Sequence, residues 1–192
     1  MYQIIPEYMV RTCDPSGAIA CINSTTLIDH CTINNNRAMK GEPGRYGKNA
    51  GSFTVLPNVT LNDTQIEKVE AFIMTVMAIF RSKVEMNRCS IKGNQARSTF
   101  EGFEEEEHYR DGKIAGIWIN SKSEVSMDDI IIEGNIADYY DGAIRNTGKL
   151  NLNAGTVITG NIAKRYPTLN NTAPGMVNMS MGAHIYDNQQ PY

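Results

Sequence analysis

Short apolar pairs alternate with polar residues along this chain, and the alternation recurs in the same order several times. Val59/Leu61, Val84/Met86, Val125/Met127 and Leu150/Leu152 are each split by one residue, the period of a strand buried on one face. A second alternating pair follows each of them: Cys31/Ile33, Thr64/Ile66, Cys89/Ile91, Ile130/Ile132 and Thr156/Ile158. Each copy then closes on Asn36, Asn94, Asn135 or Asn161, with Val69 in the place of the Asn in one copy. Counting back three residues from that close always finds an isoleucine (Ile33, Ile66, Ile91, Ile132, Ile158). Counting on two residues always finds an alanine (Ala38, Ala71, Ala96, Ala137, Ala163). Seven residues before the close lie Asp29, Asn62, Asn87 and Asp128, with Ala154 breaking the row.

Copies open on small residues, as in Gly17-Ala18-Ile19 and Gly142-Ala143-Ile144, and Gly182-Ala183-His184-Ile185 reads as the start of a further copy. Constant units joined by stretches of variable length are the mark of a solenoid whose insertions leave one edge. The expected fold is therefore all-β, a right-handed parallel β-helix of about five to six coils with variable loops at Met39–Asn49, Arg97–Lys113 and Lys164–Pro174. Residues 1–16 read as a cap or the end of a preceding coil, and residues 17–192 as the β-helix, continuing or meeting a partner at its C-terminal end. Gln65–Phe80 taken alone fits an amphipathic helix, but the copies on either side keep their register through it, so strands are expected there. Stacking equivalent strands would put Ile on Ile and Ala on Ala, and an Asn repeated at a turn can bond its own copies above and below. Asn36, Asn94, Asn135 and Asn161, with the row Asp29, Asn62, Asn87 and Asp128, are the expected structural ladders.

Composition narrows the function classes. A net charge of -3 and no clustered run of Lys and Arg give no phosphate-binding surface, so nucleic acid is not an expected partner. No apolar run approaches the roughly 20 residues of a membrane span, and the first residues lack the basic and apolar regions of a secretion signal. Cys13, Cys21, Cys31 and Cys89 have no metal-ligand spacing. Cys31 and Cys89 fall at one position two coils apart, on the order of 10 Å, too far to bridge, and read as buried small hydrophobes; the pairing of Cys13 with Cys21 stays open. Asn23, Asn58, Asn62, Asn170 and Asn178 head Asn-x-Ser/Thr sequons, which matter only on a eukaryotic secretory route.

Gly142-Ala143-Ile144 with Ile158-Thr159-Gly160-Asn161, and Gly17-Ala18-Ile19 with Ile33-Asn34-Asn35-Asn36, resemble the Gly-Gly-Ala-Ile and Phe-x-x-Asn repeats of polymorphic outer membrane proteins and other autotransporter-like adhesins. Ile stands here where Phe is usual, and one Gly where two are usual. The resemblance spans roughly Gly17 to Ala163. It implies a β-helix and a cell-surface or extracellular setting, and names no activity.

Catalysis is the competing reading. Carbohydrate-cleaving β-helices carry acid clusters on stacked strands, but Asp29 and Asp128 lie three coils apart, on the order of 14 Å, beyond the roughly 6.5–9.5 Å of an inverting pair. Glu104–Glu107 and His108 read as a solvated loop rather than a calcium site, since calcium loops space their ligands with turns. His30 and His184 have no nucleophile beside them. No catalytic, cofactor or metal residue is expected. Trp118, Tyr139 and Tyr140 are expected as an aromatic strip for sugar or protein, with Phe100, Phe103 and Tyr109 as further contacts. The chain reads as a non-catalytic structural or binding module, adhesin-like or an assembly scaffold. A polysaccharide lyase or hydrolase and an intracellular scaffold are the alternatives.

Overall fold

The computed structural model describes residues 16–34, 37–38, 51–67, 70–72, 75–79, 81–97 and 114–191. Among them the chain is all strand and turn, with every strand pairing parallel. No helix of the described residues is long and apolar enough to cross a membrane. The strands form a wide sheet of 10, a second of 6 and a third of 5, none closed into a barrel.

Six repeats, hereafter rungs, run through these sheets at residues 16–38, 51–72, 75–97, 114–137, 144–163 and 169–189. Each of the first five rungs contributes to the wide sheet twice, then to the second sheet and then to the third; the sixth reaches the third only through a single bridge from Gln189 to Ile162. In the fourth rung these strands are Ile114–Ile119, Glu124–Asp128, Ile131–Glu133 and Ile136–Ala137. In the first two rungs one long strand, Ser16–Asp29 or Gly51–Asn62, makes both passes through the wide sheet. The stretch with helical period, Gln65–Phe80, contains three strands instead: Gln65–Glu67, Glu70–Phe72 and Thr75–Ile79.

Register follows the sequence columns. Ile33, Ile66, Ile91, Ile132, Ile158 and Ile185 stand opposite one another through the second sheet. Ile66, Ile91, Ile132 and Ile158 are wholly buried, each worth on the order of 2 kcal/mol of burial. Met86 and Met127 stack with Leu61 below them and Leu152 above, in the same core. Ala96, Ala137 and Ala163 of the third sheet form a separate small buried cluster with Ala115 of the wide sheet.

The corners explain how one chain turns so sharply. Between the wide and second sheets the first four rungs place a single left-handed residue: His30 (φ 49°), Asp63 (46°), Arg88 (49°) and Asp129 (56°). Between the second and third sheets the left-handed residue is Gly93, Gly134, Gly160 or Asp187, always just before an Asn. L-residues with larger side chains avoid this region at a cost of roughly 1 kcal/mol, which is why Gly and Asp gather there, while His30 and Arg88 bear that cost.

Two sequence expectations are corrected at these corners. Leu152, not Asn153, pairs with Met127, so Asn153 follows Asp128 in the column and Ala154 does not break it. Ala154 belongs to a corner one residue longer, with Gly155 (φ 77°) in the left-handed position. Gly182 likewise opens no new repeat. It is the left-handed corner residue (φ 92°) of a sixth rung that begins at Leu169–Asn171, inside the segment expected as a loop from Lys164 to Pro174. His184 accordingly sits in a second-sheet strand beside Val157.

The Asn column beside the second corner is continuous. Asn94 donates from Nδ2 to Asn135 Oδ1 (2.9 Å), Asn135 to Asn161 (2.8 Å) and Asn161 to Asn188 (2.8 Å). Each of those oxygens also accepts the backbone N–H of the Asn one rung earlier, at 3.0–3.1 Å. The Nδ2 groups of Asn94, Asn135, Asn161 and Asn188 donate in addition to the carbonyls of Ile66, Ile91, Ile132 and Ile158. Asn94, Asn135 and Asn161 are fully buried, so each unmade bond would cost on the order of 1–3 kcal/mol. Asn36 lies outside the described residues. Asn135→Ala is expected to lower unfolding free energy by about 3 kcal/mol, whereas Asn87→Ala, at a half-exposed position, should cost under about 1 kcal/mol. Urea titrations of both variants measure the contrast, and equal losses would show that the buried column is not what holds the rungs.

Candidate functional site

Side chains with chemical potential gather in two places, both on corners or crossings. The first is where the chain leaves the third sheet for the next rung. The crossings at residues 138–143 and 164–168 run side by side, tied by Arg165 N–H to Tyr139 O (2.8 Å) and Gly142 N–H to Tyr166 O (3.1 Å). The contact is tight: a Cβ on Gly142 would lie 2.6 Å from the Pro167 carbonyl oxygen. Tyr139 and Tyr140 meet edge to face, with centroids 4.6 Å apart at 73°. Lys164 Nζ lies 5.4 Å from the Tyr139 centroid, and the Arg165 guanidinium 5.8 Å from both rings. Two cations thus lie over an aromatic pair on a backbone that is fixed from both sides.

Beneath this crossing Asp141 is completely buried. Its Oδ1 accepts a 2.8 Å bond from Asn170 Nδ2. Its Oδ2 stands 3.9 Å from Arg145 Nη1, and neither that oxygen nor Arg145 Nε makes a hydrogen bond. Burial pushes the Asp141 carboxyl up to about 6, against the opposite pull of the Asn170 bond and the Arg145 charge. Register explains why these three meet. Trp118, Arg145 and Asn170 are successive members of one column on the wide sheet, and Asp141 comes down beside it.

The second cluster is the corner column of the first three rungs. His30 Nδ1 is 3.0 Å from Asp29 Oδ2 and its Nε2 is 3.7 Å from Asp63 Oδ2. Ligand atoms of Asp29, His30 and Asp63 all lie within 4.8 Å of one another. Arg88, however, donates to both oxygens of Asp63 at 2.7 Å each, and this bond holds the Asp63 carboxyl below its usual range. The Asp63 oxygens already face a guanidinium. Further pairs of the same kind are Lys149 with Glu124 (2.7 Å) and Lys92 with Glu133 (3.0 Å).

The remaining sequence-selected residues fall as follows. Asp29, Asn62, Asn87 and Asp128 share one column, with Asn87 Nδ2 donating to Asn62 Oδ1 at 2.9 Å. Asp29 and Asp128 therefore have two residues stacked between them, a separation on the order of 14 Å that no paired-carboxylate hydrolysis spans. Asp129, next to Asp128 in sequence, is the left-handed corner residue. Cys31 and Cys89 are free thiols. Cys89 Sγ bonds the Leu61 and Asn87 carbonyls (3.3 and 3.2 Å), much as Thr64 Oγ1 bonds those of Ile28 and Asn62, and burial pushes the Cys89 thiol up. Trp118 is half-buried, the one residue of its strand that is not fully covered. Phe100, Phe103 and Tyr109 lie outside the described residues, as do Cys13 and Glu104–Glu107 with His108.

Sequence reasoning missed Lys164, Arg165, Asp141, Arg145 and Asn188. For Asn188 a signal existed: it follows Ile185 by three residues, the spacing of every other closing Asn. For the others there was none, because they meet only through rung-to-rung register. No known protein family, curated protein or solved structure matches the chain.

Because its pKa is raised in the folded state, Asp141 contributes stability that is complete below about pH 4 and is lost as pH rises through about 6. Asp141→Asn is expected to raise unfolding free energy by about 2–3 kcal/mol at pH 7.5 and to leave it nearly unchanged at pH 4. Denaturant titrations of both proteins across this range test it, and a variant less stable at every pH would refute the assignment.

Proposed function

We propose that this chain is a right-handed parallel β-helix acting as a non-catalytic structural or binding module, adhesin-like or a scaffold of an assembly. The observation that carries the reading is the crossing cluster, where Lys164 and Arg165 lie over Tyr139 and Tyr140 on paired crossings that cannot shift independently. Stacked guanidinium and tyrosine side chains present planar donors and apolar ring surface together, the chemistry that contacts protein loops and glycans. The acids elsewhere support it as well. Asp63 and Glu124 are engaged by Arg88 and Lys149, and these bonds keep their carboxyls low, the opposite of a general acid poised near neutrality.

The interior supports a rigid role. Its columns are continuous, one from Ile28 to Leu152 and another from Ile66 to Ile158, so the crossings are displayed from a closely packed wall. The resemblance of the repeats to surface-adhesin repeats points the same way.

The test is binding to arrayed neutral and acidic oligosaccharides and to candidate surface proteins. Arg165→Ala and Tyr140→Ala are each expected to weaken a captured ligand about tenfold, as contact residues of an interface do, while Asp29→Ala and Asp128→Ala leave binding unchanged. Release of new reducing ends or unsaturated sugars from a polysaccharide by the unmodified protein would overturn the non-catalytic reading.

A further inference from the structure

Positive charge at the crossing cluster is held in place without being neutralised. Elsewhere cations meet an acid on their own strand or one rung away: Lys83 with Glu85, Arg88 with Asp63, Lys92 with Glu133 and Lys149 with Glu124. Lys164 and Arg165 are exposed, and among the described residues neither pairs with a carboxylate. Asp141, on the facing crossing, is completely buried and bonded to Asn170.

The rings nevertheless fix where this charge sits. The Arg165 guanidinium is 5.8 Å from the centroids of both Tyr139 and Tyr140, whose planes stand at 73° to each other, so two rings bear on one group. Among the described residues no hydrogen bond uses its fork of N–H donors, which stays open to a ligand. A cation ordered in advance loses less freedom when a ligand binds.

The main chain around the cluster narrows the class of ligand. Arg165 N–H is given to Tyr139 O, Gly142 N–H to Tyr166 O, Ala115 N–H to Asp141 O and Ile144 N–H to Thr168 O. A peptide strand added here would find these backbone groups already paired, so recognition runs through side chains. Nucleic acid calls for a track of cations along its phosphates, which two cations on a chain of net charge -3 do not make. Two cations, an aromatic pair and the neighbouring Tyr166, 52% exposed, instead suit a sugar that bears an anionic group. The anion takes the guanidinium fork while the apolar face of the sugar ring lies on tyrosine.

We infer that the crossing cluster binds an acidic glycan, one whose sugar rings carry carboxylate or sulfate. The inference rests on the binding-module reading above and narrows it to one class of ligand.

The test titrates the full chain, by fluorescence anisotropy, with labelled oligogalacturonate, a heparin-derived oligosaccharide, a neutral cello-oligosaccharide and a poly-glutamate peptide. Saturable binding of one or both acidic glycans is expected at roughly 10 μM to 1 mM, with the neutral chain and the peptide at least about tenfold weaker. The two acidic arms tell carboxylate from sulfate. Raising salt from about 0.05 to 0.5 M should weaken the acidic arms about tenfold. Lys164→Ala and Arg165→Ala should each cost about tenfold, and Arg165→Lys nearly as much for the carboxylate, because the charge stays but the fork is lost. Lys122→Ala, at an exposed cation on another turn, should leave binding unchanged. Amide-exchange protection of Asn94, Asn135 and Asn161 reports that each variant is folded. Equal binding of neutral and acidic glycans, a preference for poly-glutamate, or binding indifferent to Arg165→Ala overturns the inference. So does failure of both acidic glycans to bind: if surface proteins are still captured through Arg165, the binding-module reading stands, and if nothing is captured, it falls as well.

Discussion

Everything in this molecule depends on the parallel register of successive rungs, and the buried amide column is what makes that register unambiguous. A strand of alternating pattern can slip by two residues and still bury an apolar face. The Asn side chains forbid it. Asn94, Asn135 and Asn161 are enclosed, and each is satisfied only if the next rung delivers an amide oxygen to the same point and the previous rung an isoleucine carbonyl. A slipped rung would bury donors without acceptors, at on the order of 1–3 kcal/mol for each. Apolar columns supply most of the burial, but the polar column decides which stacking is the native one.

Fixed register has a chemical consequence on the outside. Residues distant in sequence become neighbours on every face, so Asp63 meets Arg88, Glu124 meets Lys149 and Glu133 meets Lys92 one rung apart. Pairs of this kind add little stability each at exposed sites, yet they penalise like charges in adjacent rungs and so reinforce the same alignment. Asp141 is the exception that the crossings create. Loop backbone held on both sides pushes one carboxyl out of water, where Asn170 and Arg145 only partly compensate it. Such strain sits on the crossings and not in the columns, because there the path of the chain can differ from rung to rung without breaking the stack.

The columns were legible in the sequence because their period is the period of the structure: the isoleucines, the alanines after the corner and the closing asparagines could be counted. Errors arose where a local pattern has two physical meanings. Gly-Ala-Ile leads into the fifth rung at Gly142, but at Gly182 the similar Gly-Ala-His-Ile supplies a left-handed corner, and only strand pairing tells them apart. Ala154 was placed in the polar column because counting back from Asn161 assumes a corner of constant length, and the fifth rung has one residue more. The crossing cluster was half legible. Tyr139 and Tyr140 stood out as aromatics, while Lys164 and Arg165 are separated from them by a whole rung of sequence and are brought over the rings only by stacking.

The amide column also has a direction, which apolar stacking lacks. Donors point from each Asn toward the higher-numbered rung, from Asn94 through Asn135 and Asn161 to Asn188. Dipoles aligned in one sense through a low-dielectric interior reinforce one another along the column. They cannot be terminated equally well by the same group at both ends. A stack built this way is therefore polar as a whole: each internal rung supplies the amide oxygen for the one before it, while Asn188 Nδ2 turns to the carbonyls of Ile158 and Tyr186.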